Sequence, residues 1–207
     1  YYAFVGLSGS GKSTIVDLIL GLLIPKSGII KIDNISLRKF GIKKWQSHIG
    51  YVPQKPLIND FSLRENIAYG IPSELINVKR AIQCAKHSRI HNFIESTIDG
   101  YKTFVGERGI KLSGGQIQRI GIARALYKES KIIVFDEATS ALDNQTESEV
   151  IESIKSIKDD FTVIMIAHRL NSLKNCQRII DIDSGKIVRI ISGKWKIKEV
   201  IQVDMLF

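Results

Sequence analysis

The stretch Gly6-Leu7-Ser8-Gly9-Ser10-Gly11-Lys12-Ser13 limits the possible folds more than any other part of the chain. It follows a short apolar run, Tyr2–Val5. It opens a segment in which Ile15, Leu18, Ile19, Leu22 and Leu23 recur at helical spacing as far as Pro25. A strand, a glycine-rich turn of the form G-x-x-x-x-G-K-[ST] and a helix, in that order, make a cradle for phosphate. The glycines let backbone N–H groups turn inward where side chains would obstruct, and the helix directs its positive end at the same anion. Lys12 supplies a point charge to β- and γ-phosphates, Ser13 a ligand for Mg²⁺, and Thr14 a hydroxyl for the α-phosphate. The bland alternative is a turn that binds nothing, and the flanking strand and helix argue against it. Alone, the motif specifies a nucleoside triphosphate or similar ligand, and no purpose.

Other segments supply a sheet. Ile132–Asp136 and Thr162–Ala167 are near-continuous apolar strands, as a parallel sheet covered on both faces requires. Ile29–Asp33 and Ile49–Val52 also read as strands, and Arg178–Asp183 with Lys186–Ile191 as a hairpin turning at Ser184-Gly185. Between Phe61 and Leu126 the pattern turns helical. Ala81, Cys84, Ala85, Phe93 and Ile94 fit one helix face, and Ile117, Ile120, Ala123, Arg124 and Leu126 another. Thr146 and Glu149 have capping-box spacing ahead of Val150, Ile154 and Ile157. The expectation is an α/β fold with a mostly parallel sheet core over about 1–55 and 127–192 and an inserted helical lobe over about 56–126.

Composition narrows the class. The 207 residues suffice for one α/β domain with a smaller lobe, and 44% hydrophobic with 25% charged residues is ordinary for a globular protein. No apolar run is long enough to span a bilayer. The chain opens on Tyr1, directly in a strand and without a signal-like core, and is read as a fragment of a longer polypeptide. The net charge of +9 raises the question of nucleic acid, but the basic residues are dispersed, which favours a solvated surface and no nucleic-acid partner. Cys84 and Cys176 form no CxxC pair and are read as free thiols.

Two further patterns carry chemistry. The run Ile132 to Phe135 ends in Asp136-Glu137, poor design for a core and good design for a strand edge facing a cation. Asp136 would hold the Mg²⁺ shell and Glu137 would polarise an attacking water. Leu112-Ser113-Gly114-Gly115-Gln116 precedes a helix beginning near Gln116 and makes a second anion-binding helix end. One cradle is already present, so the second needs another explanation.

Here the sequence resembles the ABC transporter ATPases, with the P-loop NTPase fold they share. The motifs fall in family order: the phosphate loop from Gly6, Gln54 in Tyr-Val-Pro-Gln, Leu112–Gln116, Asp136-Glu137, Ser140-Ala141-Leu142-Asp143, and His168 in Ala-His-Arg-Leu. The resemblance implies two copies packed head to tail. Each ATP would lie between one copy's Gly6–Thr14 loop and the other's Ser113, Gly114, Gly115 and Gln116. It also implies that Gln54 senses Mg²⁺ and the water, that His168 contacts the γ-phosphate, and that Asp143 lines the dimer contact. A transmembrane domain, expected in the same full-length chain, would hold the domain at the cytoplasmic face of the cell membrane.

Thr103 to Gly109 and Phe61 to Ile67 resemble segments of exporters; lipid, lipid-linked oligosaccharide, peptide and drug exporters share these motifs, with a slight lean toward bacterial lipid or glycolipid flippases, and the cargo itself is not encoded here. The family's adenine-stacking aromatic lies upstream of the phosphate-loop strand, and Tyr1 and Tyr2 sit too close to Gly6 to replace it. Reduced nucleotide affinity and an incomplete antiparallel β lobe are therefore expected. The tail from Gly193, with Trp195, does not match the family's helical ending. An ABC-type ATPase of DNA repair or chromosome maintenance is the leading rival, weakened by the lack of sustained heptads between the phosphate loop and Leu112. A small P-loop kinase would lack Leu112–Gln116, and a catalytically dead domain would not need Glu137 and His168. His87 and His91 have a spacing that can bind zinc but no accompanying ligand, and Trp45 is read as packing.

Overall fold

The structure, a computed structural model, describes residues 1–106, 112–138, 142–157, 162–166, 173 and 176–192. The chain divides into two compact units. The first comprises Tyr1–Ile49, Lys131–Glu137 and the chain from Thr162 onward; the second comprises Gly50–Ser130 and Ala138–Phe161.

The first unit is built on β1 (Tyr2–Val5), which pairs in parallel with two strands distant in sequence. The helix α1 (Lys12–Ile19) follows it, and then a two-stranded antiparallel ribbon, β2 (Lys31–Ile32) with β3 (Ile35–Ser36). Two short helices, α2 (Leu37–Phe40) and α3 (Ile42–Ser47), lead to β4 (Ile49–Val52), which starts in this unit. The sheet continues with β5 (Ile132–Asp136), β6 (Thr162–Ile166), β7 (Arg178–Asp183) and β8 (Lys186–Ser192), in the order β5-β6-β1-β7-β8. Among the described pairings of this sheet, β1 with β6, β1 with β7 and β5 with β6 are parallel, and β7 with β8 is antiparallel. The mostly parallel sheet expected from the apolar runs is thus present.

Register places the site. Phe4 lies opposite Ile166, which in turn lies opposite Asp136, so one row crosses β1, β6 and β5. The chain leaves β1 at Gly6 and β5 at Glu137 on the same sheet edge. At the usual strand spacing those two exits stand about 10 Å apart, room for a phosphate group and a cation. Beneath them Phe4, Val134, Ile166 and Ile182 from the sheet meet Val16 of α1, Leu20 just past its end, and Trp45 and Leu37. Trp45 is 8% exposed and its indole N–H donates to the Ile19 carbonyl, so packing is its role.

The helix after the loop is shorter than its apolar periodicity suggests. It ends at Ile19 because Gly21 turns into the left-handed region (φ 71°), leaving Leu22 and Leu23 exposed.

The second unit is helical. It contains α4 (Leu63–Ile67), α5 (Val78–His87), α6 (His91–Glu95), α7 (Gly114–Tyr127) and α8 (Asn144–Ile157). The single face expected across Ala81 to Ile94 is broken into α5 and α6 by Arg89, at φ 57°. His87 and His91 therefore fall on different helices, and the His91 ring pairs with the Tyr101 hydroxyl at 2.9 Å. Helix α8 starts three residues earlier than the Thr146–Glu149 capping box requires. Asp143 is the cap instead, accepting from the Thr146 N–H at 2.9 Å, because a carboxylate before the helix outcompetes a hydroxyl inside it. Among the described residues no helix is long and apolar enough to cross a membrane.

Ile182 is fully buried against this core. Ile182→Ala is expected to cost about 2–5 kcal/mol of stability, read as a lower denaturant midpoint in chemical unfolding.

Candidate functional site

The loop between β1 and α1 is shaped by the backbone. Gly6 has φ 145°, and a Cβ there would stand 2.1 Å from the Ile182 carbonyl oxygen, so no other residue fits beside β7. The N–H of Ser10 donates to the Leu7 carbonyl at 3.1 Å, closing the turn. From outside, the Gly185 N–H at the tip of the β7–β8 hairpin donates to the Ser10 carbonyl at 2.9 Å. A Cβ at Gly9 would meet nothing within 4 Å, leaving the loop's mouth open, and Ser8 is exposed beside it. Gly11, at φ 104°, precedes α1 and offers no side-chain cap, so the first amides of that helix have no side-chain acceptor.

Lys12 is buried, at 5% exposure, and folds back over the loop. Its ammonium donates to the Gly6 carbonyl at 2.9 Å and the Leu7 carbonyl at 2.8 Å. An ammonium has three protons, so one remains to point into the cradle. The Ser10 hydroxyl is buried with no hydrogen-bond partner. A buried positive charge, uncapped amides and an orphaned hydroxyl around an open mouth fit a polyphosphate. Ser13 and Thr14 are exposed on the first turn of α1, with hydroxyls accessible to an incoming ligand.

Asp136 ends β5 in the same unit. Glu137 follows in the left-handed region at φ 51°, a conformation that costs a non-glycine residue roughly 1 kcal/mol or more and recurs at functional sites. The loop and the two acids are therefore brought together on one sheet edge.

The remaining described candidates belong to the second unit. Ser113 caps α7 in a capping box: its hydroxyl accepts from the Gln116 N–H at 3.3 Å, and the Gln116 side chain accepts from the Ser113 N–H at 2.8 Å. The S-x-x-Q spacing announces this box in the sequence, and it starts the helix at Gly114, before the expected Gln116. The Ser113 O–H and the amides of Gly114 and Gly115 remain as donors at a helix N-terminus. Gln54 lies just beyond β4 and is exposed. Asp143 is exposed, and its hydrogen bonds from the Thr146 hydroxyl and backbone N–H hold its carboxyl below the usual range. His168, Ser140 and Ala141, the segment from Glu107 to Gly109 and the tail from Gly193 lie outside the described residues.

Gly185 was not legible as a site residue. It reaches the loop only because β7 pairs with β1, and no local motif signals that.

The sequence profile of the ABC transporter family matches residues 1–140. The chain belongs to the ABC transporter family. It is that family's ATP-binding domain, an ATPase of P-loop fold. ABC transporter B family member 22 of Arabidopsis thaliana is 46% identical over 186 residues, 90% of this chain and 15% of that relative. The ATP-dependent lipid A-core flippase of Saccharophagus degradans is 44% identical over the same share of this chain and 31% of its own length. A bacterial Atm1-family ABC exporter solved with ATP bound superposes with a TM-score of 0.87 at 38% identity, covering 92% of this chain and 33% of that one. The ABC domain thus spans a third or less of the proteins it resembles.

Removing the Thr146 hydroxyl isolates its effect on Asp143. In Thr146→Val the Asp143 carboxyl is expected to titrate nearer the ordinary carboxylate value, as read by carboxyl-carbon NMR. The sign follows from a depressed folded-state value. The stabilisation Asp143 lends α8 is present above the unfolded midpoint and is lost as pH falls through the folded one.

Proposed function

We propose that this domain binds Mg²⁺-ATP and hydrolyses it between two head-to-tail copies, and that the cycle drives export by transmembrane domains of the full-length protein at the cytoplasmic face of the membrane. The observation that carries the reading is the presence of two phosphate-competent helix ends in one chain. One carries a lysine and two acids; the other, at Ser113, offers a serine hydroxyl and the amides of Gly114 and Gly115. A second end of that kind is explained by the γ-phosphate of a nucleotide held by another copy. The lobe over about 56–126 is the part that would present it.

In this reading the amides of the Gly6–Gly11 loop and the remaining Lys12 proton bind the β- and γ-phosphates. Ser13 and Asp136 would hold Mg²⁺, which supplies charge neutralisation on the phosphate oxygens when bound. Glu137 orients and polarises the attacking water. Phosphoryl transfer asks little covalent help of the protein, so positioning accounts for most of the catalysis. Gln54 contacts the ion shell and the water, and His168 the γ-phosphate. Asp143 lines the contact between copies. Loss of the γ-phosphate removes the shared ligand and releases the pair.

A lipid or glycolipid cargo is supported by the resemblance to the lipid A-core flippase. A role in DNA repair finds no support among these relatives, each a transporter, flippase or exporter by name.

Glu137→Gln is expected to cut turnover at least about a hundredfold and to accumulate an ATP-bound dimer on size-exclusion chromatography. Turnover at the unmodified rate would remove Glu137 from the chemistry. Ser113→Arg should impair hydrolysis while leaving ATP binding by the monomer intact, measured by titration of a fluorescent nucleotide. Equal loss of monomer binding would contradict the cross-copy assignment.

A further inference from the structure

One stripe of α7 faces the segment that carries Gln54, and it grips backbone. Gln118, Gly121, Arg124 and Ala125 recur every three or four residues, so they share a helix face. The Gln118 side chain, only 3% exposed, donates from Nε2 to the Gln54 carbonyl at 3.2 Å. One turn on, Gly121 abuts Pro56. A Cβ at Gly121 would stand 2.6 Å from Pro56 Cγ and 2.9 Å from its Cβ, so the helix approaches the proline as closely as a glycine permits. A further turn on, Arg124 donates from Nε to the Asn66 carbonyl at 2.8 Å and from Nη1 to the Leu57 carbonyl at 2.9 Å. Its guanidinium lies 4.7 Å from the centre of the Tyr69 ring. At the β4 end, a Cβ on Gly50 would stand 2.9 Å from the Ala125 carbonyl oxygen and 3.2 Å from Ala125 Cβ.

The far side of the strip is tied as well. Asn66, fully buried, accepts from the Asn59 N–H at 3.1 Å and donates to the Asn59 carbonyl at 3.0 Å. From Gly50 to Asn66 the path of the chain is therefore fixed at Gly50, Gln54, Pro56, Leu57, Asn59 and Asn66. Gln54 itself is exposed.

A buried amide that donates to the carbonyl of one particular exposed glutamine is more than filler. An apolar side chain of equal length would pack that site without desolvating a polar group. We propose that Gln118 is a positioning residue for Gln54: together with Gly121 and Arg124 it locks the backbone of the Gln54 loop to the helix that begins at Ser113, so that the group reading Mg²⁺ and water and the group reading the γ-phosphate from the other copy are carried on one rigid piece. The inference rests on the role of Gln54 proposed above.

The test is a double-mutant cycle in the full-length protein, with ATP hydrolysis followed against both ATP and Mg²⁺ concentration. Gln118→Met keeps length and apolar volume and removes the donor. Alone it should lower kcat about tenfold, the worth of one hydrogen bond, raise the Mg²⁺ needed for half-maximal rate and leave KM for ATP unchanged. In a Gln54→Ala background it should add no further loss, because nothing remains to be positioned. The same fold loss in both backgrounds, or an unchanged Mg²⁺ requirement, overturns the positioning role and leaves Gln118 as packing. Unimpaired hydrolysis in Gln54→Ala alone overturns the reading of Gln54 itself, and this inference with it. If Gln118→Met does not fold, Gly121→Ala replaces it in the cycle, displacing the same loop through Pro56, and is judged by the same criteria.

Discussion

Everything at the nucleotide end depends on β1 lying between β6 and β7 in parallel register. That pairing sends the chain out of β1 and β5 at the same edge of the sheet, and it is why a glycine turn and two acids separated by more than half the sequence stand about two strand widths apart. In open sheets of this kind ligands collect outside the carboxyl ends of the strands. The interaction is costly to form, since each partner of β1 is distant along the chain and long loops must close first. Apolar burial on both sheet faces offsets that cost, and Ala3, Phe4, Ile133, Val134 and Phe135 are all buried.

Once the strands are in place, the loop's shape follows from sterics and not from side-chain chemistry. Gly6 must pass the Ile182 carbonyl, so it cannot carry a Cβ. Lys12 neutralises the converging carbonyls of Gly6 and Leu7 while keeping a proton for the ligand. One residue therefore both stabilises the cradle and discriminates for anions. Ser113 and Gln116 divide labour in a similar way at the other helix end. Each satisfies the other's amide, and the serine hydroxyl retains its proton.

Much of this was legible in the sequence. Strands β1, β5 and β6 run where apolar runs place them, because buried parallel strands advertise themselves by near-continuous hydrophobicity, and β4 and β7 also lie where expected. The misreadings have local physical causes. Leu22 and Leu23 continue the periodicity of α1, but Gly21 ends the helix before them. Thr146 satisfies a capping pattern, yet Asp143 is the better acceptor and is one turn upstream. The contacts of Gly185, Gln118 and Arg124 were beyond reach for a different reason. Each joins segments far apart in the chain, and a motif describes only neighbours.

The bond between Gly185 and Ser10 runs from one main chain to another. Exchange of the side chains at 183 or 186 leaves both partners chemically intact, so the prop tolerates drift there, whereas the left-handed backbone at Ser184 (φ 48°) and Gly185 (φ 76°) restricts what those two positions accept. What it does not tolerate is a change of count. Adding or deleting a single amino acid in the Ser184-Gly185 turn would carry the amide past its acceptor, and hairpin length, together with the left-handed turn at its tip, is thus what this ATPase has to preserve.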